Sequence, residues 1–280
     1  MRAGPAGRLL AISDLHVGHA PNRALVEALY PEQDDDWLIV AGDVGETVEE
    51  ITWALRTLAA RYARVVWTPG NHELWTHPRD PVPWRGEERY LGLVAICREL
   101  GVATPEDDPY PVWPGPSGPV VVVPVFTLYD YSFAPAGART LEEGLAAAAR
   151  AGVTCTDELL LDPAPYPSRQ AWCAARVDRT RARLDALPDG VPVVLAGHFP
   201  LVREPTQVLR HPEFAQWCGT VATADWHRRY RVAAVVHGHL HLPRRLWVDG
   251  VRFEEVSLGY PREWGRRGGP PRPRRVLPWP

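Results

Sequence analysis

The chain has 280 residues, of which 45% are hydrophobic and 23% are charged, and its formal net charge is −3. This length is ample for a buried core, and the composition excludes disordered, collagen-like and coiled-coil chains. The slightly acidic balance also argues against a dedicated nucleic-acid-binding protein, because such a protein carries a basic surface.

The first part of the chain alternates short apolar runs with an amphipathic segment. The runs have the length and near-continuous apolar character of buried strands. They cover residues 8–13, 37–41 and 64–67. Residues 48–63 carry apolar side chains at helical spacing, and Thr47 with Glu50 matches a capping box at the start of a helix. Strands alternating with helices predict a sheet covered by helices.

The rest of the chain predicts further elements of both kinds. Helices are predicted at 87–100, 140–151 and 169–187, and strands at 120–125, 191–196, 232–236, 244–248 and 251–256. Asp249-Gly250 between the last two strands is typical of a two-residue hairpin turn. Residues 265–280 are rich in arginine, glycine and proline, which predicts an extended or disordered tail after a single domain of residues 1–264.

The chain lacks the sequence features of a secreted or membrane protein. Residues 1–8 are not followed by the apolar segment of ~7–15 residues that a signal peptide needs. No stretch approaches the ~20 apolar residues that span a bilayer. The four cysteines lie far apart without a CxxC pair, which favours buried thiols. These features predict a cytoplasmic protein with no membrane or nucleic-acid partner.

Five short polar motifs follow predicted strands. In chain order they are Asp14-Leu-His16, Gly42-Asp43, Gly70-Asn71-His72, Gly197-His198 and Gly238-His239-Leu-His241. Because ligand sites in α/β sheets lie outside the carboxyl ends of the strands, these side chains are expected to meet in one crevice. The neighbouring glycines allow tight turns and close approach of the backbone.

These motifs supply seven candidate metal ligands, which is more than one metal ion of ordinary coordination needs. They are Asp14, His16, Asp43, Asn71, His198, His239 and His241. They suffice for two ions if one carboxylate bridges. A set of oxygen and nitrogen donors without thiolate suits Mn, Fe or Zn in a reactive centre. Paired metals activate water and stabilise charge in phosphate-ester hydrolysis.

The ordered motifs DxH, GDxxE, GNHE, GH and GHxH resemble those of the calcineurin-like metallophosphoesterases, and the match covers about residues 8–241. The resemblance implies a single α/β domain built as a four-layered α/β/β/α sandwich around two metal ions. It assigns Asp14, His16, Asp43 and His241 to the first ion. It assigns Asp43, Asn71, His198 and His239 to the second.

The same resemblance implies a mechanism for a metallophosphoesterase domain. A hydroxide that bridges the two metals attacks phosphorus, and Asp43 is the bridging carboxylate. His72 binds no metal and lies beside the scissile phosphate as a general acid or charge stabiliser. Glu46 and Glu73 are expected to support the site or begin helices, because carboxylates are favoured in the first turn of a helix.

A narrower resemblance concerns the substrate. Residues 71–76, 128–133, 213–219 and 251–264 are similar to actinobacterial family members that act as phosphopantetheinyl hydrolases. Those enzymes cleave the phosphodiester between the 4′-phosphopantetheine arm and a serine of acyl carrier protein, which makes that protein the candidate substrate. Two alternatives remain open: a phosphodiesterase or phosphatase for nucleotides or other small phosphate esters, and a non-catalytic scaffold with the same fold.

Three further residues are candidates for substrate contact. His19 follows the first motif closely, and either lines the site or caps a loop. Tyr129 and Tyr131 lie in an aromatic segment that either faces the substrate or packs in the core.

Overall fold

The computed structural model describes residues 7–279 and contains two β-sheets. The strands are β1 (Leu9–Ile12), β2 (Trp37–Ala41), β3 (Arg64–Thr68), β4 (Val112–Gly115), β5 (Gly118–Val125), β6 (Val193–Gly197), β7 (Val232–His237), β8 (Arg244–Val248), β9 (Val251–Glu255) and β10 (Arg274–Leu277). The α-helices are α1 (Ala20–Glu27), α2 (Val48–Ala59), α3 (Asn71–Leu74), α4 (Gly86–Glu99), α5 (Leu141–Arg150), α6 (Asp157–Leu160), α7 (Arg169–Asp185), α8 (Trp226–Arg229) and α9 (Pro261–Arg266). Short 3₁₀ helices cover Glu204–Val208, Pro212–Trp217 and Val221–Thr223.

The first sheet has the strand order β10-β1-β2-β3, and the second has the order β4-β5-β6-β7-β9-β8. In the first sheet β1, β2 and β3 are parallel, and in the second β5, β6, β7 and β9 are parallel. The predicted hairpin joins β8 to β9. Its turn residues Asp249 and Gly250 both have positive φ, at 49° and 78°, as a type I′ turn requires.

The two sheets pack face to face, and alternating residues of each strand supply the layer between them. Leu9, Ala11 and Ile39 of the first sheet meet Val122 and Val194 of the second in this layer. The opposite faces of the sheets join a larger core that includes buried residues of α2, α4 and α7. The predicted four-layered α/β/β/α sandwich is therefore confirmed.

Helix α2 begins as its sequence predicts. The Thr47 side chain accepts a hydrogen bond from the Glu50 backbone N–H, and the Glu50 side chain accepts one from the Thr47 N–H, both at 3.2 Å. The helix ends at Ala59, earlier than predicted, because the chain turns after Ala60 and the Ala63 N–H bonds to the Asp36 carbonyl. This turn leads the chain into β3.

Of the two predicted states of the tail, extended or disordered, the end of the described chain takes the extended one. Residues 274–277 form β10, which pairs antiparallel with β1. Val276 is fully buried between the sheets, and Arg274 donates to the buried Glu254 carboxylate at 2.8 Å. These contacts outweigh the local preference of an arginine- and proline-rich segment, so the described part of the tail packs on the domain. The boundary at residue 264 stays a prediction.

Two further observations concern the described residues. No helix between residues 7 and 279 is long and apolar enough to cross a membrane. All four cysteines are buried free thiols, as their scattered positions predict.

Candidate metal centre

The seven candidate ligands lie at the carboxyl ends of five strands from both sheets. Asp14 and His16 follow β1, Asp43 follows β2, and Asn71 begins α3 just after β3. The others follow strands of the second sheet: His198 comes after β6, and His239 and His241 come after β7. Because the two sheets pack with these ends together, residues far apart in the chain meet at one edge of the sandwich.

The first group consists of four residues whose donor atoms all lie within 4.8 Å of one another: Asp14, His16, Asp43 and His241. His241 Nε2 is 3.0 Å from Asp14 Oδ1 and 3.2 Å from His16 Nε2. His16 Nε2 is 4.0 Å from Asp43 Oδ2. The spacing therefore lets all four residues contact one ion.

The second group contains Asp43 again, with His198 and His239. His198 Nε2 lies 3.5 Å from Asp43 Oδ2, 3.2 Å from His239 Nδ1 and 3.2 Å from Asn71 Oδ1. The amide oxygen of Asn71 thus joins this group. Asp43 belongs to both groups, which is the position that a bridging carboxylate needs.

The donor set fits metal cations. Burial and the neighbouring imidazoles lower the pKa values of His16 and His239 well below the usual range, so both rings are neutral and keep a lone pair for a ligand bond. Two carboxylates lie among the imidazoles, which supplies the negative charge that a divalent ion compensates. Burial opposes a positive charge on His241, but Asp14 and Glu263 outweigh burial and raise its pKa to about 10. The two carboxylates therefore favour a cation at this part of the site.

The backbone at the site is strained. Asp14, His16, Asp43, His239 and His241 all have positive φ, between 40° and 71°. This conformation costs roughly 1–3 kcal/mol for a residue other than glycine, and it clusters at functional sites. Gly42 also has positive φ, at 83°, and a larger residue does not fit there because its Cβ would lie 2.7 Å from His198 Nδ1.

Buried hydrogen bonds hold the carboxylates in place. Asp14 Oδ2 accepts from the hydroxyls of Ser13 and Ser257, at 2.5 and 2.6 Å. Glu73 accepts from three backbone N–H groups, including those of Asp43 and Gly70 at 2.8 Å, and it lies outside both ligand groups. Burial and the charge of Asp43 raise the pKa of Glu73 to about 7. Glu73 therefore supports the loops, as its sequence position predicts.

His72 lies beside the two groups with its ring between two carboxylates. Its Nε2 is 3.7 Å from Asp43 Oδ2, and its Nδ1 is 3.5 Å from Glu46 Oε1. The Trp75 ring packs on the imidazole with ring centroids 3.6 Å apart. Burial lowers the tendency of His72 to ionise, but Asp43 and Glu46 oppose this effect and raise its pKa above the usual value.

Two carboxylates that the sequence analysis did not select contact candidate ligands. Glu263 Oε2 accepts from His241 Nδ1 at 2.7 Å, and Asp157 Oδ1 accepts from Asn71 Nδ2 at 2.9 Å. Asp157 also accepts from Trp75 Nε1 at 2.7 Å. These bonds fix which atoms of His241 and Asn71 face the ligand groups. Glu263 and Asp157 are first-turn carboxylates of α9 and α6, and the sequence pattern predicts neither of these short helices.

The three candidate substrate contacts occupy different environments. His19 is exposed beside α1, and its ring meets the Tyr260 ring, which in turn stacks on His16. Tyr129 is fully buried against Phe199. The Tyr131 hydroxyl donates to Glu158, and the described lining of the cavity beside the site includes neither tyrosine. Both tyrosine side chains are buried in the core, and their contact with a substrate stays a prediction.

A cavity of about 300 Å³ adjoins the candidate ligands. Asp43, Asn71, His72, His239 and His241 line one side of it. A larger cavity of about 430 Å³ lies between α1 and residues 270–273, and the residues described along it include none of the seven ligands. The smaller cavity is therefore the one that can hold a substrate at the metal centre.

Comparison with known proteins agrees with this geometry. An acyl-carrier-protein phosphodiesterase of Mycobacterium tuberculosis, PptH, is 56% identical over 277 residues, which cover 99% of this chain and 85% of that protein. The crystal structure described as the phosphopantetheinyl hydrolase PptH of the same organism matches with a TM-score of 0.95 and 56% identity, over 99% of this chain and 98% of that one. The predicted resemblance to such hydrolases is confirmed.

Residues 7–243 match the model of the calcineurin-like phosphoesterase family, whose members depend on two metal ions. The match covers all five motifs and therefore both ligand groups. The prediction of a metal-dependent phosphoric ester hydrolase is confirmed at the level of the family. This chain belongs to the calcineurin-like phosphoesterase family.

Proposed function

We propose that this chain hydrolyses the phosphodiester that joins a 4′-phosphopantetheine arm to a serine of an acyl carrier protein. One observation carries the choice of substrate: the chain is 56% identical, over 99% of its length, to a phosphodiesterase named for that carrier protein. The candidate metal centre and the adjoining cavity support the same reaction, because they combine phosphoryl chemistry with space for a slender substrate.

The ions in this proposal are two of Mn, Fe or Zn, which accept mixed carboxylate and imidazole ligands. Asp14, His16, Asp43 and His241 would hold the first ion. Asp43, Asn71, His198 and His239 would hold the second. When bound, the two ions make a water molecule more acidic and stabilise negative charge on the phosphoryl oxygens.

We propose that His72 donates the proton that the leaving serine oxygen requires. Because Asp43 and Glu46 raise its pKa, this imidazole is protonated over a wider pH range than a free histidine. As water adds to phosphorus, the bond between phosphorus and the serine oxygen breaks, and His72 Nε2 donates its proton to that oxygen. The proton lost by the water restores His72. The products are a free serine hydroxyl and 4′-phosphopantetheine.

The test combines metal analysis with hydrolysis on one preparation of the full chain, loaded with Mn or Fe. Elemental analysis is expected to give about two ions per chain. A holo acyl carrier protein is expected to lose the mass of its arm, while the same carrier protein without the arm keeps its mass. Bis-p-nitrophenyl phosphate and a cyclic nucleotide are offered in parallel as small substrates.

Two outcomes would contradict the proposal. Hydrolysis of the small diesters with an intact carrier protein would favour the alternative of a nucleotide or small-ester phosphodiesterase. Absence of both bound metal and turnover after reconstitution would favour the non-catalytic scaffold. The cytoplasmic location stays a prediction from the sequence.

A further inference from the structure

The cavity beside the candidate metal centre has two walls that the metal chemistry does not use. One wall consists of Leu209, Phe214 and Leu240, and the other includes residues 154–157. At about 300 Å³ the cavity is at the small end of ligand pockets, and a folded carrier protein cannot enter it. Of the two groups on the phosphorus of the proposed substrate, only the flexible arm fits.

The first wall is apolar and firmly built. Leu209 and Phe214 pack on a buried cluster that includes Leu240, Phe133 and Cys218. The Phe214 ring lies nearly parallel to the His239 ring, with centroids 5.7 Å apart and an angle of 19° between the planes. An apolar surface thus begins directly beside one of the candidate metal ligands.

The second wall carries polar side chains. Thr154 and Thr156 are exposed, and the Thr156 side chain makes no capping bond at the start of α6. Cys155 between them is buried, so the segment is anchored while its two threonines stay exposed. The cavity therefore presents both apolar side chains and hydroxyl groups to a ligand at the metal centre.

The arm carries both kinds of chemical group. From the phosphate outward, it carries a methylene group, a carbon with two methyl groups, a secondary hydroxyl and then amides. We propose that the cavity is the binding site for the arm, in which Leu209 and Phe214 contact the dimethyl carbon and the hydroxyls of Thr154 and Thr156 face its hydroxyl and amide groups. This inference rests on the proposed function and deepens it, because it makes these residues the determinants of specificity.

The test measures inhibition of bis-p-nitrophenyl phosphate hydrolysis by the metal-loaded full chain. The inhibitors are 4′-phosphopantetheine and ethyl phosphate, which has the phosphate but lacks the branched carbon. In Leu209→Ala and Phe214→Ala, the inhibition constant of 4′-phosphopantetheine is expected to rise about tenfold relative to that of ethyl phosphate, since a lost apolar contact in a pocket has an effect of this order. Val208→Ala, a change at a half-exposed neighbour outside the cavity, is the matched control with an unchanged ratio.

The metal content and melting temperature of each variant are measured alongside. If Phe214→Ala loses metal because of its contact with His239, Leu209→Ala decides the question. If the ratio of the inhibition constants of 4′-phosphopantetheine and ethyl phosphate is unchanged in Leu209→Ala, including by an equal rise of both constants, the proposed binding site is refuted. The holo-carrier assay separates the two proposals. If the wild type releases the arm but the ratio of inhibition constants is unchanged in Leu209→Ala, only the proposed binding site is refuted. If the wild type releases no arm, the proposed function is refuted as well.

Discussion

Replacement of Glu263 tests whether the site extends beyond the region that the family model matches. Glu263 lies in α9, outside residues 7–243, and its Oε2 accepts from His241 Nδ1 at 2.7 Å. The same oxygen accepts from the Tyr260 N–H at 2.9 Å, so the carboxylate is fixed on both sides. Through this contact, Glu263 directs the opposite nitrogen of His241 toward Asp14, which lies 3.0 Å away.

The expected effect on metal binding follows from this geometry. Loss of a carboxylate that orients a ligating imidazole weakens metal affinity by roughly 10- to 100-fold. This corresponds to about 1.4–2.7 kcal/mol of binding free energy. Glu263→Gln keeps an oxygen acceptor but loses the charge, so we expect the lower end of the range. Glu263→Ala removes both, and we expect the upper end.

The assay is equilibrium dialysis of the full chain against Mn²⁺ at a series of concentrations, followed by elemental analysis. Arg266→Gln is the matched control, because Arg266 is an exposed charged residue of the same helix. We expect the control to bind metal as the wild type does. Equal Mn²⁺ affinity in Glu263→Ala and the wild type would refute a positioning role for Glu263.

Three further predictions concern the metal centre and the stability of the fold. Asp43→Asn is expected to abolish hydrolysis and lower the metal content by elemental analysis, because Asp43 lies in both ligand groups; full metal content would contradict its bridging role. His72→Ala should keep both ions but reduce kcat by about 10²–10⁴-fold, with the larger loss for a poor leaving group, since it removes a proton donor; loss of metal would instead make His72 a ligand. Asp36→Asn should lower the free energy of unfolding in urea at pH 7 by about 2 kcal/mol, because Asp36 accepts charge-assisted bonds from Arg8. These bonds lower the pKa of Asp36 against the effect of burial, so its contribution is complete above the usual value of about 4 and is lost as the pH falls through the lowered pKa; a gap between variant and wild type that stays constant down to pH 3 would contradict this reasoning.

The strands and long helices were predictable because burial leaves a periodic pattern in the sequence. Strand β2 has the predicted bounds, and α2 begins at its predicted capping box. The seven candidate ligands were also predictable, because each stands beside a glycine or in a short motif at the end of a strand. Chain order and strand direction were enough to bring them to one edge of the molecule.

Contacts between distant segments left no comparable pattern. Asp157 reaches Asn71 across 86 residues, and it lies in a four-residue helix with no motif around it. The strand β10 depends on Val276 entering the layer between the sheets and on Glu254 binding Arg274, neither of which local composition records. Local composition therefore could not decide between an extended and a disordered tail, because tertiary contacts determine its conformation.

The position of β10 also bears on how the chain is made. Strand β1 leads to Asp14 and His16 and has β2 on one side and β10 on the other. During synthesis the backbone groups on that second side stay open until residues 274–277 have left the ribosome, long after β1, β2 and β3 have emerged. An open strand edge attracts other extended chains. A chain shortened at residue 264, the boundary that its sequence suggests, would keep this edge open permanently and would tend to associate through it.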